Sequence, residues 1–201
     1  MTIIRDEFAV AGTWWVGAED TGTSQVGSGQ LRWTIDQDRQ SVWDSVDLPT
    51  GLAQVRVDAS VLVDGGSGGG GPLCAGADVG ARALWAGVNG DGEWLVGRIV
   101  DGHVQAIERG ETPAVRRHDV PVGAPYPLLV TLECTADPDT GDRATVWVSG
   151  IQVADVVDQS VGPYLQAGLV GSADAAPFAM TFEDFEVLGP PEGSPSPSAA
   201  P

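Results

Sequence analysis

The sequence predicts an all-β protein: a two-sheet antiparallel sandwich of about a dozen short strands, with no long helix. Three observations lead there. Valine, which suits a pleated and half-buried backbone, occurs 26 times in 201 residues. Glycine and proline, 28 and 14 copies, punctuate the chain at short intervals. Between those breaks the apolar residues recur with a period of two, and many short strands separated by turn signals stack as two packed sheets.

The elements follow in order. Val55, Val57, Ala59, Val61 and Val63 alternate with Arg56, Asp58 and Ser60, which predicts a half-buried strand. The stretch from Asp64 to Gly71 is almost entirely glycine and is expected to be a flexible loop. Ala83 to Val88 and Glu93 to Val100 flank Asn89-Gly90-Asp91-Gly92, whose Asn-Gly and Asp-Gly steps supply the positive φ of a tight hairpin. A second hairpin turns on Asp101-Gly102 into His103 to Arg109. A third joins Arg143 to Val148 with Ile151 to Val157 across Ser149-Gly150. From Gly189 to Pro201 the chain is Pro/Ser/Ala-rich and lacks side chains large enough to pack. It is expected to be an extended linker or tail, so the folded domain is expected to span residues 1–188.

Composition excludes several functions. The chain carries 28 acidic against 10 basic residues, a formal charge of −18, and every basic residue is arginine. Such a chain does not track a phosphate backbone and offers no basic patch to anionic lipid, so neither nucleic acid nor direct membrane insertion is expected. Without lysine there is no phosphate-loop lysine, no Schiff base and no Ser–Lys pair. No run of 18 apolar residues is present. The amino-terminal Met-Thr-Ile-Ile-Arg-Asp does not have the shape of a signal peptide.

Cys74 and Cys134 lie 60 residues apart, each within an expected strand. Two cysteines alone make no zinc site, and His103 and His118 are not at ligand spacing to either. Two buried thiols and one sandwich-stapling disulfide both fit. The disulfide is the favoured expectation and implies an exported compartment.

The order of short motifs is informative beyond composition. Asp6-Glu7-Phe8 and Trp14-Trp15 open the chain; Gly29-Gln30-Leu31-Arg32-Trp33-Thr34-Ile35 and Ser41-Val42-Trp43 follow. Then come Leu84-Trp85-Ala86-Gly87-Val88, Gly92-Glu93-Trp94-Leu95-Val96-Gly97-Arg98 and Val146-Trp147-Val148-Ser149-Gly150. Ala167-Gly168-Leu169-Val170 and Phe182-Glu183-Asp184-Phe185-Glu186-Val187 close it. In that order the chain resembles the concanavalin A-like lectin/glucanase jelly rolls, in particular the laminin-G-like and keto-disaccharide-hydrolase-like domains of bacterial exported proteins. The resemblance covers nearly all of residues 3 to 188 and includes two cysteines placed in strands. Ser149 departs from it, standing where such hairpins commonly carry Asn before Gly. The Gly-rich 64–71 segment and the Asp137–Asp142 loop look like local elaborations. The resemblance implies a jelly-roll sandwich and an accessory, carbohydrate-associated or sensor module, some relatives being hydrolases.

Catalysis finds little support in the residues. A glucanase of this architecture would present Glu-x-Asp-x-x-Glu on one strand, to set two carboxylates about 5 Å apart, and that pattern is absent. Glu183, Asp184 and Glu186 form the nearest cluster, but strict alternation sends the neighbours Glu183 and Asp184 to opposite faces. No Gly-x-Ser-x-Gly occurs. His103 and His118 read as ordinary surface or edge residues.

Two candidate sites remain. The fold class often holds calcium near its terminal strands, which makes Asp184 and Asp6 candidate ligands for a structural calcium ion; solvated edge acids are the alternative. Trp43, Trp85 and Trp94 are candidate stacking platforms for a sugar ring on the concave face. Arg98, which shares a strand face with Trp94 by the period of two, would be the hydrogen-bonding partner. Core packing is the alternative for each tryptophan. The expected function is a non-catalytic extracellular or cell-envelope module, binding a polysaccharide or surface glycan and tethered to a larger exported assembly through its carboxy-terminal linker. A glycoside-processing enzyme and a structural domain on a phage virion are the competing readings.

Overall fold

The computed structural model describes residues 1–10, 12–112, 127–158 and 161–190, except the side chains of 64–66. His118 and the tail from 191 to 201 lie outside the described residues. Thirteen strands are present among those described, and no helix. They are β1 (Thr2–Asp6), β2 (Gly17–Glu19), β3 (Gly22–Gly27), β4 (Gln30–Ile35), β5 (Ser41–Leu52), β6 (Gln54–Ala75) and β7 (Arg82–Val88). After them come β8 (Glu93–Val100), β9 (His103–Glu111), β10 (Leu128–Thr135), β11 (Asp142–Val148), β12 (Ile151–Asp158) and β13 (Tyr164–Leu188). Every pairing is antiparallel.

Two strands are far longer than the rest, and both belong to two sheets. The first half of β6 pairs β10, while its second half pairs β7. The first half of β13 pairs β5; its second half pairs β4 and β1. One sheet, the front, is therefore β9-β8-β7-β6-β13-β5. The other, the back, is β12-β11-β10-β6-β13 with β1 and β4-β3-β2 beyond. The architecture is a two-sheet jelly-roll sandwich, as the strand pattern predicts.

The run from Asp64 to Gly71 departs from expectation. It is not a loop but the strand segment in which β6 passes from one sheet to the other. Its glycines serve close approach. A Cβ on Gly69 would stand 2.7 Å from the Val88 carbonyl oxygen, and one on Gly70 would run into Met180 and the Val170 carbonyl. Opposite it, β13 bends through Ala173–Ala179, where the register with β6 slips repeatedly. Sequence-local reasoning sees only glycine's freedom; strand pairing on both sides restrains it.

The core fills the space between the sheets. Val55, Val57, Ala59 and Val61 of β6 face Leu84, Ala86 and Val88 of β7, with Trp33, Phe178, Phe182 and Phe185 adding the largest volumes. Trp33 and Phe182 meet edge to face at 5.1 Å, and Trp14 packs on Phe185 at 4.9 Å. Cys74 of the front sheet is joined to Cys134 of the back sheet by a disulfide with a Cα–Cα distance of 6.7 Å, and both residues are fully buried. The sandwich is thus stapled through its core.

The three expected hairpins are present. Asp101-Gly102 and Ser149-Gly150 each hold two successive positive φ values, 50° and 76°, then 48° and 82°. At Asn89 the side-chain Oδ1 accepts from the Asp91 and Glu93 amides, closing the turn. Ser28-Gly29, with φ of 55° and 77°, makes a fourth hairpin of the same kind between β3 and β4.

Asp142 is buried at the far end of the back sheet. Its Oδ2 accepts hydrogen bonds from the Val161 and Gly162 amides and the Tyr164 hydroxyl, at 2.8, 2.7 and 2.7 Å. Burial, reinforced by this carboxylate, pushes the Tyr164 phenol far above its usual range. The unfolded phenol ionises near pH 10 while the folded one keeps its proton, so this contribution is intact below pH 10 and is lost as pH rises beyond it. Melting temperatures across pH 9 to 11 are expected to fall, and Tyr164→Phe to flatten that fall; parallel slopes for both proteins would contradict the assignment.

Candidate functional site

The front sheet presents its outer face as a second apolar layer. Leu73 and Ala75 of β6, Ala83 and Trp85 of β7, Ile99 of β8 and Val170 of β13 are buried there. Trp43, Leu95 and Val104 pack around them. Toward the β7–β8 hairpin this layer opens into a groove of about 340 Å³. Gly69 and Gly87 strip its floor of side chains. Trp85 lies along it, and Asn89, Glu93, Arg109, Glu111, Ser172 and Asp174 stand around it.

Each part has a local cause. Trp85 pairs with Gly97 on β8, and the absence of a side chain there lets the indole lie down on the sheet, its other end over Gly87. Its Nε1 is buried and has no hydrogen-bond partner among the described residues. Trp94 pairs with Gly110 in the same way. Its ring covers the space a Cβ would take, 2.7 Å from Cζ2, and reaches the end of the groove from the inner face. Glu93 and Glu111 are direct cross-strand partners at the ends of β8 and β9. Glu93 is oriented by Asn89, whose Nδ2 donates to its Oε2 at 2.6 Å. Arg109, two residues before Glu111, follows it on the same face of β9.

The structure separates the four residues singled out as a sugar site. Trp85 lines the groove, and Trp43 lies on the same outer face a few strands away, half-buried. Trp94 and Arg98 do share a strand face, but it is the inner one. Trp94 is packed into the main core, and Arg98 crosses to the back sheet, where its Nη1 bonds the two Asp158 oxygens at 2.8 and 3.1 Å. Arg98 Nε donates to Gln105 as well, so this guanidinium serves as a tie between sheets. The groove-lining acids and Arg109 escaped notice in the sequence. The available signal was the alternation of Arg109 with Glu111 on a strand paired to Glu93.

The terminal acids are also separated. Asp6 pairs opposite the core residue Phe185, and its oxygens accept from the Phe8 amide and Trp14 Nε1 at 2.7 and 2.8 Å. Asp184 is exposed and points the other way from Phe185. These two carboxylates do not converge on one ion. Among the described residues no three His, Cys, Asp or Glu gather as a metal site. Glu183 departs from strict alternation: a bulge between Phe182 and Asp184 turns it outward, where it accepts from Gln30 at 3.0 Å. His103 is exposed at the start of β9. In the Asp137–Asp142 loop, Asp137 spends its oxygens on the Asp139 and Thr140 amides and the Thr140 hydroxyl. Those bonds, led by Thr140, hold its carboxyl below the usual range.

Solved structures settle the class of sandwich. A carbohydrate-binding module from Bacillus subtilis, CBM66, superposes with a TM-score of 0.53 at 17% identity, over 81% of this chain and 88% of that one. The concanavalin A-like jelly roll is this chain's fold. Alginate lyase Aly36B, a mutant in complex with alginate trisaccharide, matches with a TM-score of 0.58 at 11% identity, over 91% of this chain and 89% of that one. The CBM2 module of the evolved Dit of Lactobacillus casei BL23 phage J-1 matches with a TM-score of 0.54 at 10% identity, over 92% and 94%. At such identities the likeness extends to the jelly roll and no further. No family model and no curated protein sequence matches the chain.

Proposed function

We propose that this jelly roll is a non-catalytic glycan-recognition module of an exported or cell-envelope assembly, with the front-sheet groove as its binding site. The groove itself carries the reading. Its 340 Å³ fall at the lower end of the roughly 300–1,000 Å³ typical of ligand sites, and it joins an apolar, aromatic floor to a few polar groups. Sugars ask for that combination, an apolar ring face and several hydroxyls. One jelly roll of the same fold is named as a carbohydrate-binding module and a second as a CBM2 module, which supports the reading at the level of fold. The buried disulfide supports an oxidising compartment. The Pro/Ser-rich segment from 189 to 201 is proposed as the tether to the rest of the assembly.

The test is affinity electrophoresis through gels containing a panel of soluble polysaccharides, followed by calorimetry with oligosaccharides of any that retards the protein. At least one glycan is expected to slow migration. Arg109→Ala is expected to weaken that binding about tenfold, the size of one lost charge-assisted hydrogen bond. Unretarded migration across the panel, or full affinity in Arg109→Ala, would remove the groove from consideration.

A further inference from the structure

Resting on that reading, we infer that the groove selects glycans carrying free amino groups and rejects uronates. Glu93 and Glu111 stand directly opposite each other on paired strands, and both line the groove. Directly opposed residues have Cβ atoms about 4.5–5.5 Å apart, and like charges in that arrangement repel. Asp174 adds a third carboxylate from β13. Among the described residues Arg109 is the one cation of the lining, and no ion pair joins it to these acids. The Asn89 amide holds Glu93 from the hairpin side, donating to one of its carboxylate oxygens.

An ammonium group between Glu93 and Glu111 turns this repulsion into two charge-assisted hydrogen bonds. A neutral hydroxyl makes hydrogen bonds there but relieves no charge. A uronate would add a further negative charge to a lining whose described residues already carry three against one, on a chain of formal charge −18. Arg109, beside Glu111 on β9, remains available to ring and glycosidic oxygens.

Calorimetry at 150 mM salt, with three tetrasaccharides as probes, tests this: β-1,4-linked glucosamine, its fully N-acetylated form and galacturonate. The glucosamine tetramer is expected to bind at least tenfold more tightly than the acetylated one, and the galacturonate tetramer to give no heat. Glu111→Gln is expected to erase the preference for the amine, bringing the ratio of the two affinities to about one. Glu19→Gln, the same charge change at the far edge of the back sheet, is expected to leave it intact. If the acetylated sugar or the uronate binds as well as the amine, the amine inference fails and glycan binding stands. Equal losses from Glu19→Gln and Glu111→Gln would mean only non-specific attraction of a polycation. If none of the three probes binds but the polysaccharide panel contains a ligand, the inference fails alone; silence in both defeats the groove as a glycan site.

Discussion

Gly70→Val is expected to lower the melting temperature by roughly 6–12 °C, the equivalent of about 3 kcal/mol for a domain of this size. Gly70 sits where β6 passes between the sheets, buried between β13 and β7. A Cβ there meets the Met180 side chain on one side and the Val170 carbonyl oxygen on the other. Met180 is flexible and could move, but it is itself fully buried. The carbonyl is part of the β6–β13 ladder and cannot move without breaking it. Relief must therefore come from separating the two strands that both sheets share. Gly27→Ala is the control, because nothing lies within 4 Å of a Cβ at that position and its backbone is unstrained; it is expected to melt within about 1 °C of the parent. Equal melting of Gly70→Val and the parent would show that the crossing is looser than its contacts imply.

The Cys74→Ala/Cys134→Ala double variant is expected to lose about 4 kcal/mol. The chain-entropy account gives about 3 for a closed loop of 15 residues and 4.7 for one of 100, and this one closes 60. Here the bond also joins the two sheets, so the unfolded chain it restrains is one in which β6 and β10 would otherwise separate freely. Both residues are fully buried, and a thiolate cannot reach the sulfurs of the folded protein. Reductant is therefore expected to act at the unfolding rate: no change in a rapid melt started directly after its addition, and a lower melting temperature after prolonged incubation near the transition. Immediate reduction at 25 °C would contradict the buried placement. An unchanged melting temperature in the double variant would show that strand pairing alone holds the sandwich.

How much of this was legible in the sequence varied with distance along the chain. The alternating valines from 55 to 63 and the turn residues at Asn89, Asp101 and Ser149 were read to within a residue or two. The glycine run is a strand and not the expected loop, because a propensity describes an isolated segment. Between β7 and β13, a chain without side chains is the one that fits. Arg98 lies on the face of Trp94, as a period of two implies. Which face that was depended on whether Trp94 or Leu95 turned toward the back sheet, and alternation alone is symmetric between the two. The bulge at Glu183 similarly breaks a parity that strict period-two counting assumes.

The sequence by itself determined the all-β class, the hairpins, the absence of lysine chemistry and the strongly acidic surface, because turn geometry and charge are properties of residues and their near neighbours. Only the tertiary structure decided that β6 and β13 serve both sheets, that Cys74 meets Cys134, and that Gly69, Trp85, Glu93, Glu111 and Asp174 surround one groove. Those residues are brought together by strand pairings across a hundred positions, and the register of such pairings is set by how all the side chains fill the core at once.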